Sequence, residues 1–113
     1  MSYGGVLMTT ADDHIQLAEQ IASKLPEVSR NEWMRWMQMA ERQGLDRAVA
    51  YAERLGEDPT LRPAVQRDNK LIAQAIRSNL SALKRLPENS QKKTSGYVGW
   101  LLRIRTVRGS LRE

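Results

Sequence analysis

Helix starts and stops punctuate this chain throughout, and almost nothing in it reads as a strand. Thr10 and Asp13 stand as the N-cap and N3 residues of a capping box, with Asp in place of the more usual Glu. Behind them Ile15, Ala18, Ile21, Ala22 and Leu25 recur at helical spacing until Pro26 closes the segment. Ser29 with Glu32 forms a second capping box and opens a helix over Arg30 to Gln43, which Gly44 is placed to end. Leu45, Ala48, Val49, Ala52 and Leu55 then share one face of a third helix, stopped by Gly56. The longest helix is predicted from Leu61 to Leu86, with Thr60 as cap, Pro63 in the first turn and Pro87 as stop. The polar stretch from Pro87 to Ser95 reads as a flexible loop. A last helix over Gly96 to Arg108 carries Trp100, Ile104, Val107 and Leu111 on one side. Only Gly4 to Met8 looks extended, within a short extended N-terminus over 1–9. The expected fold is therefore all-α, a compact bundle of about five helices in a single domain over 1–113, with no internal repeat.

Composition narrows the functional classes. At 41% hydrophobic and 27% charged, the 113-residue chain can bury one modest core and is too apolar to be disordered. Phe is absent, so the core must come from Leu, Ile, Val, Ala and Met, with Trp as its bulky member. No cysteine is present, hence no disulfide frame and no thiolate for metal or redox chemistry. Neither a membrane span nor a secretory leader is legible, and a cytoplasmic location is expected.

The charge is unevenly distributed. Residues 1–60 hold six Lys/Arg and ten Asp/Glu, a net of −4; residues 61–113 hold twelve and three, a net of +9. On the wheel of the long helix, Leu61, Val65, Ile72, Ala75, Ile76, Leu83 and Leu86 share the apolar side. Arg67, Lys70, Arg77 and Lys84 fall opposite, within an arc of about 100° and along about 25 Å of helix axis. Within this helix no acid shares that stripe; Asp68 lies on the other side, Arg85 flanks the row, and Gln74 and Ser81 fill its gaps. Lys92 and Lys93 add charge on the expected loop, and Arg103, Arg105, Arg108 and Arg112 add more beyond it. A rigid row of cations can meet several phosphates at once and release their counterions, and the arginine fork suits two-point contact. A charged helix face is more often only solvated, but such faces usually mix signs. The expectation is a nucleic-acid backbone as partner. An acidic protein surface is the alternative.

Other candidates carry less. Trp33, Trp36, Met37 and Ala40 share one face of the second helix while Met34 and Met39 lie off it, which marks either a central core helix or a subunit interface through Trp33, Trp36, Met34 and Met37. Base stacking on Trp33 or Trp36 has few neighbouring cations to support it. A helix-turn-helix through Ala40 and Gly44 would place Arg47 and Arg54 beside Asp46 and Glu53, leaving no net charge to enter a groove. The single histidine, His14, sits beside Asp12 and Asp13, whose place at a helix start is explained by the dipole. No nucleophile, phosphate loop or metal-ligand spacing is found, so neither enzyme activity nor a metal or other cofactor is expected.

The long basic helix Arg67 to Arg85 and the closing run Gly96-Tyr97-Val98-Gly99-Trp100-Leu101-Leu102-Arg103-Ile104-Arg105 resemble the small subunits of multi-subunit, Cascade-like CRISPR effector complexes. More closely, they are similar to the helical domain at the C-terminus of some large subunits, where a separate small protein can arise from an internal start. The opening Met1 to Met8 would suit such a start. The resemblance implies a non-catalytic subunit in a ribonucleoprotein, present in more than one copy and stacked head-to-tail. It would touch the guide–target duplex or the displaced strand through its backbone. The acidic first half, around the first and third helices, would then meet the basic half of the next copy.

Overall fold

In the computed structural model the backbone is described for residues 11–112 and the side chains for residues 14–104. These residues form five helices: α1 (Ala11–Ser23), α2 (Arg30–Gln43), α3 (Leu45–Gly56), α4 (Pro63–Arg85) and α5 (Glu88–Arg112). The extended N-terminus and the Thr10 cap lie outside the described residues.

Local chemistry explains most boundaries. Ser29 caps α2 by accepting from the Glu32 amide at 3.1 Å. The Ser29 amide, which the capping-box pattern assigns to the Glu32 carboxylate, instead donates to Asp68 Oδ2 at 3.1 Å, thirty-nine residues away on α4. One glycine joins α2 to α3: Gly44 has φ +90°, a backbone that side-chained residues rarely adopt, and its N–H closes α2 on the Ala40 carbonyl at 2.9 Å. Thr60, expected to cap α4, bonds to Asp58 instead, with its hydroxyl at 2.6 Å and its amide at 2.9 Å from Oδ1. α4 starts later, with Pro63 in its first turn, where the missing N–H has no helical partner to lose.

The polar stretch over 87–95 is helical, not a loop. Pro87 ends α4 and also starts α5, its carbonyl accepting the Gln91 amide at 3.0 Å, and Glu88 sits favourably in the first turn. Thr94 is fully buried, its hydroxyl donating to the Ser90 carbonyl at 2.8 Å. The Ser95 carbonyl accepts Trp33 Nε1–H at 2.9 Å. Docking on α2 thus overrides a composition that favours coil.

α4 packs along α3, and α1 along α5. α2 lies between, touching α3, α4 and α5, while the two consecutive basic helices α4 and α5 are barely in contact. The core gathers Leu17, Ile21, Leu25, Trp33, Trp36, Val49, Ile72, Ile76, Leu83, Val98 and Leu102. Trp33 is 0% and Trp36 3% exposed, with ring centroids 5.0 Å apart. That corrects their candidacy as interface residues: burying two indoles removes much apolar surface from water, and both belong to the core of the bundle. Met37 is partly buried against this core, and Met34 is half-buried. Gly56 marks a close approach of α3 to α4, since a Cβ there would lie 3.1 Å from Lys70 Cβ and 3.2 Å from its backbone.

Candidate nucleic-acid interface

The four cations of the α4 stripe are all exposed, but the packing of α3 brings paired carboxylates to two of them. Arg77 grips Glu53 with two bonds of 2.9 Å, from Nε to Oε2 and from Nη2 to Oε1. Lys84 Nζ lies 2.8 and 2.9 Å from the two oxygens of Asp46. Arg67 reaches its chain neighbour Asp68 at 3.5 Å. Lys70 lines a shallow groove of about 380 Å³ with Glu53, Glu57 and Arg77. The stripe is not free of acids even within its own helix, since Arg67 reaches Asp68. In the folded chain it is one side of a mixed-charge seam.

The fork from Arg77 holds the Glu53 carboxyl below its ordinary pKa, chiefly through the hydrogen bond; desolvation opposes this, and the charge of Arg77 adds the smallest push in the same downward direction. The same bond raises Arg77. Both side chains are nearly half exposed, at 47% and 45%, so water and salt screen the pair and its main effect is on surface potential. Arg85 is exposed and turns its Nε towards the Ser81 carbonyl at 3.3 Å.

α5 differs. From Asn89 to Arg112 it carries six Lys/Arg and no acid. Lys92, Lys93 and Arg103 are exposed and make no ion pair among the described residues. Lys92 shares a recess with Glu41 and Glu88. Arg105 and Arg108 continue the helix, with side chains outside the described residues. Helical order in 88–95 also means that Lys92 and Lys93 are held on a rod and are not carried on a mobile loop.

Sequence reasoning missed one feature of this face. Trp100, expected on an apolar side with Ile104, is 52% exposed and stacks on Tyr97 with ring centroids 5.4 Å apart and planes at 25°. The signal was available: on α5 the core-facing line runs through Thr94, Val98 and Leu102, which puts Trp100 about 160° from Leu102.

No family model, curated protein or solved structure matches this chain.

The remaining candidates are structural in geometry. The helix-turn-helix segment lays α3 against α4, with Asp46 and Glu53 engaged there and Arg54 stacked over the Tyr51 ring at 5.7 Å. Glu32 is buried and bonded to Asn69 Nδ2 at 3.1 Å and Arg35 at 3.4 Å, so its charge is compensated within the bundle. No cluster of three potential metal ligands occurs among the described residues, and no described helix is long and apolar enough to cross a membrane.

Proposed function

We propose that this chain is a non-catalytic subunit that holds nucleic acid by its phosphate backbone, without reading bases, chiefly through α5. The observation that carries the reading is the run from Asn89 to Arg112, six cations with no acid, of which Lys92, Lys93 and Arg103 are exposed and unpaired among the described residues. Lys70 and Arg85 on α4 extend the field, and Arg77 and Lys84 contribute only when their acids release them. A net charge of +5 draws polyanions in from a distance. The resemblance of the two basic segments to CRISPR-effector small subunits supports a role in a cytoplasmic ribonucleoprotein complex, beside other subunits, on the target or displaced strand. A head-to-tail stack of copies has less acidic surface to draw on than the sequence suggests, because Asp46 and Glu53 are already engaged within the chain.

Fluorescence anisotropy with labelled single- and double-stranded DNA and RNA, across a salt series, tests the reading. Sequence-indifferent binding whose logarithmic salt slope is about −3 to −5 supports four or five engaged phosphates. Absence of binding at low salt overturns it and leaves the basic face to an acidic protein partner.

A further inference from the structure

We infer that Tyr97 and Trp100 form a base-stacking platform that makes this chain prefer single strands over duplexes, a deepening that rests on the backbone-binding reading. Of the three tryptophans, two are sealed in the core, whereas Trp100 is 52% exposed. Tyr97 backs it at 5.4 Å and 25°, so the indole is held in place by a neighbouring ring and offers an open face. Such a pre-ordered ring loses little entropy on accepting a flat ligand.

The surroundings specify the ligand. At about 100° per residue, Lys93, Tyr97, Trp100 and Ile104 follow one line of α5, with Lys93 and Trp100 exposed and Tyr97 and Ile104 half-buried, and Arg103 stands about 60° from Trp100. Along the axis Lys93 lies about 10 Å before Trp100 and Arg103 about 5 Å after it, so a nucleotide stacked on the indole has a cation towards each flanking phosphate. Neither cation is ion-paired among the described residues. An aromatic face bracketed by free cations suits a base with its phosphates. A second copy of the same face would meet like charge. A duplex keeps its base faces stacked inside itself and can use only the cations, which is the origin of the preference.

The test compares wild type with Trp100→Ala and Trp100→Phe on an oligo-dT of about 15 nucleotides, an abasic strand of equal length and a duplex. Circular dichroism confirms that each variant is folded. Wild type is expected to bind oligo-dT about 5- to 50-fold more tightly than the abasic strand, which has the same phosphates and no bases. Trp100→Ala should erase that gap and leave abasic and duplex binding unchanged, and Trp100→Phe should restore most of it. Oligo-dT should also quench tryptophan emission in wild type but not in Trp100→Ala. Equal wild-type binding to dT and abasic strands overturns the platform and leaves backbone binding standing. So does a Trp100→Ala loss that is the same on both strands. No binding to any strand overturns both readings.

Discussion

α4 and α5 are of similar length, 23 and 25 residues, and similarly basic, with five and six Lys/Arg against one acid each. Their surroundings separate them. α4 lies along α3, whose Asp46 and Glu53 meet Lys84 and Arg77 at 2.8 to 2.9 Å. α5 lies along α1 and α2 and keeps Lys93 and Arg103 without a carboxylate partner among the described residues. A helical wheel shows which charges share a face. It does not show what the next helix lays beside them, and that decides whether a cation reaches solvent as net potential.

This contrast can be broken most sharply at α5. Combining Lys92→Ala, Lys93→Ala and Arg103→Ala should weaken binding to single strands by about 100-fold and lower the salt slope by about 2, read by anisotropy across a salt series. An equal loss from the α4 pair Arg77→Ala and Lys84→Ala would show that the two helices are equivalent after all. Unmasking α4 comes next: Asp46→Asn with Glu53→Gln should strengthen binding by about 10-fold and steepen the slope by up to about 2, because two held cations are released. Unchanged affinity there would mean that the stripe never faces the ligand. Arg77→Ala alone is expected to change affinity by no more than about twofold, since a salt-bridged surface cation offers a phosphate little until its acid lets go.

The smallest effect is with pH. The folded pKa of Glu53 lies below its unfolded value, so its contribution to stability is full above the unfolded pKa. That contribution fades as pH falls through the depressed folded value. Over the same acid range protonation frees Arg77, so wild type should gain a slightly steeper salt dependence that Glu53→Gln shows at every pH. Identical pH profiles for the two proteins would exclude Glu53 as the mask.

Period and punctuation were enough to read the fold class, the boundaries of α2 and the apolar face of α4. They failed where long-range contact outweighed local preference. The segment 88–95 looks like coil because Asn89, Ser90, Gln91, Lys92 and Lys93 are polar, and becomes helix because Thr94 is buried and the Ser95 carbonyl docks on α2. Asp68 sits off the basic stripe in the sequence, but that it finishes the cap of α2 is legible only once both helices are placed. The masking of Arg77 and Lys84 is of the same kind, two residues of α3 meeting partners 24 and 38 positions later. The α5 cations, by contrast, were visible in the sequence as a run with no acid in it, while the absence of an ion pair at Lys93 and Arg103 among the described residues is a finding of the packing. The exposure of Trp100 was hidden by a last helix started eight residues too late, which concealed the line through Thr94, Val98 and Leu102 that sets its inner face.

The bond from Trp33 Nε1–H to the Ser95 carbonyl behaves as an index pin. A helix can turn about its own axis with little change in length or hydrogen bonding, and on α5 a slip of one residue swings every side chain by about 100°. Pinned at Ser95 and seated with Gly99 against the same indole, α5 has one phase, with Trp100 outward over a half-buried Tyr97, and Val98 and Leu102 inward. Two residues of the same kind thus do opposite jobs: a buried tryptophan on α2 fixes the angle at which an open one on α5 is presented.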